Sequence, residues 1–387
     1  MSGEKSAVTR PMDRRAFLRR SGLALVGTTA GLGTVDNGYA DWIGGASTFR
    51  RSFNMLVMGD SVMWGQGLSH DQKFSTLVGE WLAGALPLGT GLDIRVLAHS
   101  GATIAPGGGD ADPDFELLSG ELPRSWPSIT RQLEKATTLD IAPHQVDLIL
   151  MDGGINDVGI TRILNPSIDV SVEIGVARVG QAAKTECSQR MHNFLPGVVE
   201  AFPQAKVVVT NYFPIVSEQS SGAGVIALLS ALGLLSNATM AVFLASLGVP
   251  LPPWDPVAIA AAWAALKPRL AAQSMAFHDE STRGLRAAVT AANSVSPGRA
   301  LFVDVGLGTA QAYATPDTHL FYILDGSAPT DVTEQRRHDC QDVPADTEGE
   351  VNVLCAEAQM GHPNPKGARK YADAIISALD QVLPRCQ

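Results

Sequence analysis

An α/β fold, with a parallel sheet covered by helices on both faces, is what this 387-residue chain predicts. Strand-like and helix-like segments alternate along it, the strand-like runs are continuously apolar, and the first of them ends in a glycine-bounded turn. The run Phe53-Asn54-Met55-Leu56-Val57-Met58 reads as a buried first strand and ends in Gly59-Asp60-Ser61. Asp71 to Leu86 follows as an amphipathic helix, then Leu92 to Ala98 as a second strand ending at His99-Ser100-Gly101. Val146 to Met151 is the third strand and runs into Asp152-Gly153-Gly154-Ile155-Asn156-Asp157. A long helical pattern over about Val176 to Phe202 leads to a fourth strand, Ala205 to Thr210. Leu301 to Val305 is a fifth, and a helix from about Pro365 to Leu383 closes the chain.

Ahead of these elements, residues 1–40 read as an export leader. Arg14-Arg15 with Phe17-Leu18 forms a twin-arginine pattern, an uncharged stretch from Ser21 to Val35 follows, and Gly38-Tyr39-Ala40 offers a small-x-small cleavage site. Residues 41–387 then form one catalytic-type domain, exported to the periplasm or beyond. Without the leader, 23 basic face 36 acidic residues, a net charge of −13. That balance argues against nucleic acid and anionic lipid as partners. The four cysteines, Cys187, Cys340, Cys355 and Cys386, permit two disulfides in an oxidising compartment. Cys340–Cys355 would staple a polar loop and leave Cys187 with Cys386, while free buried thiols are the alternative. No Cys/His spacing suggests zinc, and no cofactor motif is present.

Two insertions interrupt the alternation. The first, about residues 217–295, is helical, and its stretch 219–254 contains no charged side chain. Three readings stand for that stretch: a helical hairpin packed on the core, an apolar lid over the site, or a membrane contact. Pro256 to Asn293 continues it as a further helix. The second insertion, residues 318–356, is rich in Asp and Thr and reads as a long surface loop. Asp110, Asp112 and Asp114 alternate in a Gly-rich loop, but nothing completes a calcium motif, so a solvated loop is the better reading.

The strand ends gather the components of acyl-transfer chemistry. A serine at the carboxyl edge of a parallel sheet faces the usual ligand cleft. Its hydroxyl is a weak nucleophile until a base takes the proton, and His362 in Gly361-His362-Pro363 supplies a candidate base. The backbone N–H groups of Ser61 and Gly101 and the side-chain amide of Asn156 supply three candidate donors to an oxyanion. Each has a plainer reading: Gly101 as a turn residue, Asn156 as a helix cap, His362 as a surface histidine. His99 and His319 are rival bases.

The set Gly59-Asp60-Ser61, Gly101, Gly154-Ile155-Asn156-Asp157 and His362 resembles the SGNH, or GDSL-type, hydrolases, with the blocks in the family's order over about residues 53–383. The resemblance implies a three-layer α/β/α sandwich of flavodoxin-like type. It also implies Ser61 as nucleophile, His362 as base, and Ser61, Gly101 and Asn156 as the oxyanion hole. The G-x-S-x-G elbow of the α/β-hydrolases is absent around Ser61. One departure stands out. Where the family commonly carries an aspartate three residues before the histidine, this chain has Gln359. The ring is then left to a Ser–His dyad, to a backbone carbonyl, or to Glu357 or another acid. The implied function is an exported serine esterase acting on carboxylic, acyl or lipid-like esters. A polysaccharide O-deacetylase and a non-catalytic binding protein on the same fold are the alternatives.

Overall fold

The computed structural model describes residues 52–106, 120–167, 171–235, 255–322, 331–341 and 355–382. The leader, Asp110, Asp112, Asp114, Cys386 and the later half of the uncharged stretch lie outside them. Five strands are present: β1 Ser52–Met58, β2 Gly91–Val96, β3 Leu148–Met151, β4 Lys206–Thr210 and β5 Ala300–Val303. They form one parallel sheet in the order β2-β1-β3-β4-β5. All five strands predicted from apolar runs are found, each within a few residues of its expected ends. The central strands β1, β3 and β4 are buried almost throughout, whereas the edge strand β2 is half-exposed. Burial on both faces explains why the inner strands read as unbroken apolar runs rather than as alternation.

The order of the strands dictates the layers. From β1 the chain steps outward to β2, then reverses and adds β3, β4 and β5 on the other side. Right-handed crossovers therefore place the first connecting helix on one face and the later ones on the opposite face. The first face carries α2, Phe74–Ala85, packed against the last helix, here α11, Pro365–Val382. Phe74 stacks on Tyr371 across that contact, with ring centroids 5.0 Å apart. The other face carries α3, Ile129–Ala136, then α6, Val172–Ala182, and α7, Gln189–Ala201, and the 40-residue α9, Pro256–Val295. Between α6 and α7 the helix widens into a π segment, Ala183–Ser188, which points Cys187 into the core. This is the three-layer α/β/α arrangement.

Reversal of direction between β1 and β3 creates a crevice at their carboxyl ends, where open α/β sheets bind ligands. Met58 and Met151 are level in the register. Gly59 and Asp152 consequently leave the sheet side by side.

Both insertions differ in part from expectation. In the uncharged stretch, Gly222–Ala231 forms α8, and its Val225, Ile226, Leu228 and Leu229 are buried. This half is packed on the core beside α9, as in the hairpin reading, and no helix among the described residues is long and apolar enough to cross a membrane. In the segment read as a polar surface loop, Asp331–Asp339 forms a helix, α10. Its buried side chains are Thr333 and Arg336, so no apolar periodicity betrays it. The Cys340–Cys355 disulfide is formed, and both cysteines are buried with Leu122. Cys187 is a free, buried thiol rather than half of a second bridge.

Candidate active site

Beyond β1 the backbone turns sharply at Gly59, whose φ of 146° suits glycine alone; a Cβ there would overlap Asp152. Gln132, fully buried, grips this peptide from both sides: Gly59 N donates to its Oε1 at 2.8 Å and its Nε2 donates to Gly59 O at 2.9 Å. Asp60 then caps a one-turn helix, α1, Ser61–Trp64, by accepting from Val62 N at 2.9 Å. Ser61 is thereby the first helical residue, where the N–H has no partner within the helix.

Beneath the turn lies a buried acidic pair. Asp60 N donates to Asp152 Oδ1 at 2.9 Å, and the Tyr212 hydroxyl donates to Asp60 Oδ2 at 2.5 Å. Burial raises the Asp60 carboxyl to about 6, and burial together with the neighbouring Asp60 charge holds Asp152 well above the usual carboxylate range. Of the two carboxyls, Asp152 is the one whose protonated form burial and the adjacent charge favour. The Tyr212 oxygen also accepts from Ile155 N at 3.3 Å, joining the serine turn to the turn that follows β3.

That second turn presents Asn156 on α4, Ile155–Val158. Asn156 is half-buried, and its Nδ2 donates to Ala102 O at 2.9 Å. One amide hydrogen fixes the side chain and the other is left for a ligand. Neighbouring Asp157 ties the same region down, accepting from Ile104 N and from Arg190. After β2, Gly101 adopts a φ of 80°, and a Cβ at this position would sit 2.6 Å from Arg124 O. Only glycine lets the backbone N–H reach this place.

His362 comes from the other end of the chain, in a tight turn before α11. Its backbone is held by Gln359 O and by a bridge to Phe321 and Leu320. Asn364 caps α11 through Lys366 N and Gly367 N. The ring lands on the serine: His362 Nε2 lies 2.7 Å from Ser61 Oγ, across 301 residues of sequence. Desolvation and the nearby Arg336 charge push the imidazole down to about 4, while the carbonyls of Met360, Gln359 and Ala358 favour its charged form. At neutral pH the ring is therefore uncharged, and the tautomer with its proton on Nδ1 leaves Nε2 to accept from the Ser61 hydroxyl.

The structure thus brings Ser61 and His362 into contact and sets Gly101 and Asn156 on the adjoining strand-end turns. Among the described residues it brings no acid to the histidine. Among the described residues no side chain hydrogen-bonds Nδ1. Gln359 turns its Nε2 to Glu357 at 3.3 Å, and Glu357 is held by Arg337 at 2.6 Å. His99 turns Nδ1 to Ser100 O, and His319 lies beside Asp317.

A second polar cluster, invisible from local sequence, surrounds Glu121. Its carboxylate accepts from Trp64 Nε1 at 2.7 Å, Gln66 Nε2 at 3.1 Å, Gly67 N at 2.8 Å and Arg336 Nη1 at 2.5 Å. Gln66 in turn accepts from the Ser100 hydroxyl. Arg336 donates onward from Nε to Cys355 O at 3.1 Å and from Nη2 to Ala356 O at 2.9 Å. The only signal that could have marked this cluster is the close spacing of Cys340 and Cys355 around it.

No family model matches the sequence, and no curated protein matches it. Solved structures are similar to it at low identity. A phospholipase A1 from Streptomyces albidoflavus NA297 matches at 14% identity and a TM-score of 0.44, covering 84% of this chain and 98% of the other. An extracellular lipase from Streptomyces rimosus matches at 17% and 0.39, over 84% and 99%. A family 2 carbohydrate esterase with a carbohydrate-binding domain from Corynascus thermopiles matches at 15% and 0.34, over 88% and 68%. On its own geometry, the flavodoxin-like sheet of this chain, with its serine, glycine, asparagine and histidine blocks in order at one end, is the fold that the SGNH-type resemblance implies.

Proposed function

We propose that this chain is a serine esterase that cleaves carboxylic esters through an acyl-enzyme on Ser61. The observation that carries the reading is the 2.7 Å contact between Ser61 Oγ and the neutral His362 Nε2. In the forward step the Ser61 Oγ–H bond breaks, its proton passes to Nε2, and Oγ bonds to the ester carbonyl carbon. The carbonyl oxygen becomes an oxyanion facing the Ser61 and Gly101 N–H groups and the free Asn156 amide hydrogen. Collapse expels the alkoxide, which takes the proton from Nε2. Water then repeats the sequence, giving the carboxylic acid and restoring Ser61. With no carboxylate on Nδ1, the imidazolium formed midway is steadied only by backbone carbonyls, so the oxyanion donors carry a larger share of the catalysis.

An acyl or lipid-like ester is the substrate class we favour. Its support is an apolar groove of about 550 Å³ between α8 and α9, lined by Ala223, Ile259, Ala260 and Trp263 among others. The groove is separate from Ser61 itself, but the first turn of α8 packs on Tyr322, beside the Phe321 that pairs with His362. The leader pattern of residues 1–40 and the Cys340–Cys355 bridge support export by the twin-arginine route.

Fluorophosphonate labelling tests the reading. Labelling of the wild-type chain and none of Ser61→Ala is expected. Absence of wild-type labelling, or equal labelling of the variant, would leave a binding protein on this fold. An acyl-length series of p-nitrophenyl esters then separates a lipid-like preference from one confined to acetyl.

A further inference from the structure

Arg336 stands out once the catalytic components are placed. It is 1% exposed, yet it lies on a helix with almost no apolar face. Burying an ion pair such as Arg336–Glu121 seldom stabilises a protein more than apolar residues of similar volume would. Its retention is better explained by what it holds. The planar guanidinium grips the carbonyls of Cys355 and Ala356 with two nitrogens and Glu121 with the third. The two carbonyls begin the turn that ends in His362. The carboxylate, in turn, holds Trp64, the last residue of the Ser61 helix, and Gln66 and Gly67 just beyond it, and Gln66 reaches Ser100 next to Gly101. One buried pair therefore spans the serine, glycine and histidine blocks, and the Cys340–Cys355 bridge ties the end of α10 to the same turn.

We infer that Arg336, anchored by Glu121, is a positioning residue for His362, holding the base turn in register with Ser61 where no described residue brings a carboxylate to the ring. The inference rests on the esterase reading above. A carboxylate on Nδ1 would do two things: aim the ring and stabilise its cation. Arg336 can do only the first. Its charge acts against the second, which accords with the depressed imidazole of His362. Among the described residues, Arg336 is the charged group that acts on the ring, and beyond it lie Glu121, with Lys73 near that carboxylate, and the Arg337–Glu357 pair. The arrangement trades stabilisation of the imidazolium for a base that stays unprotonated into acid solution.

Two substitutions separate the grip from the charge. Arg336→Lys keeps the charge but loses the fork; Arg336→Met loses both. Hydrolysis of a p-nitrophenyl ester is followed from pH 3.5 to 8 on the full chain. For both variants kcat should fall about 10²-fold with KM little changed, the scale expected when a catalytic group is misplaced by about 1 Å. The acid limb of the Arg336→Lys profile should stay where the wild type has it, and that of Arg336→Met should move toward the ordinary histidine range. Folded variants with unchanged kcat and an unmoved limb would overturn the inference, as would a rise in KM alone. Should neither variant fold, Glu121→Gln decides: a fall in kcat supports the positioning role and an unchanged kcat overturns it. Failure of the esterase reading is distinct, because wild type would then neither label nor turn over.

Discussion

Asn156→Ala isolates one donor of the proposed oxyanion hole. In the structure the Asn156 amide makes one hydrogen bond, Nδ2 to Ala102 O at 2.9 Å, and its second amide hydrogen is unspent. Truncation removes that second donor from the transition state and leaves the buried Ala102 carbonyl without its partner. The stability cost is that of one neutral hydrogen bond, about 1 kcal/mol, which a domain of this size registers as a fall in Tm of a few degrees. The catalytic cost is larger, because the donor acts on charge that develops only in the transition state. Loss of one oxyanion donor lowers kcat by roughly 10²–10³, or about 3–4 kcal/mol. Saturation kinetics on a p-nitrophenyl ester, with Tm measured alongside, tests both numbers. Asn156→Asp keeps the shape but cannot donate, so it should lose as much. A kcat within about threefold of wild type, or a loss confined to KM, would refute the argument, since uniform binding rather than transition-state stabilisation would then have been removed.

Three further outcomes follow from the buried polar groups. Tyr212→Phe leaves Asp60 Oδ2 and Ile155 N unpaired and should destabilise by about 2 kcal/mol, read as a lower urea midpoint at unchanged slope; an unmoved midpoint would contradict it. Asp152→Asn replaces this buried carboxyl with a neutral isostere. In the wild type the Asp152 carboxyl is raised on folding, so stability is greatest below its unfolded value near 3.8 and is lost as pH rises; the variant should gain Tm over wild type, and gain more at pH 8 than at pH 5. With the imidazole of His362 at about 4, kcat/KM should hold down to about pH 4 and fall below it, and a limb near 6.5 would show the ring to be solvated instead.

Legibility of the sequence divides along the range of the interactions. The inner strands were readable because each carries a continuous apolar core, Met55–Met58, Leu148–Met151 and Val207–Val209, the mark of burial on both faces. Ser61 and Asn156 were readable because each follows such a core, Gly101 because it follows the second strand-like run, and His362 because it precedes a periodic helix. What stayed hidden acts over distance with no local pattern. Gln132 meets Gly59 across 73 residues, Tyr212 meets Asp60 across 152, and Arg336 meets Glu121 across 215. Helix α10 was hidden for the related reason that Asp331–Asp339 buries threonine and arginine instead of leucine. The free state of Cys187 was equally unreadable, because counting cysteines says nothing of a π segment that turns one of them into the core.

Gln359 shows how a departure in sequence and a departure in structure come to explain one another. A glutamine in place of the usual acid invites a search for a substitute carboxylate, and Glu357 is two residues away. Glu357, however, is committed to Arg337, and Arg336 beside it brings a positive charge toward the ring. A carboxylate at position 359 would have two groups of the same turn to act on, the imidazole and the guanidinium that now holds the Cys355 and Ala356 carbonyls. Gln359→Asp is therefore not a simple restoration. If the acid reached Nδ1 it would strengthen the base at neutral pH and shift the acid limb upward. If it reached Arg336 first it would loosen the turn and lower kcat with the limb unmoved. Movement of the acid limb of Gln359→Asp therefore reports whether position 359 reaches the ring or the guanidinium.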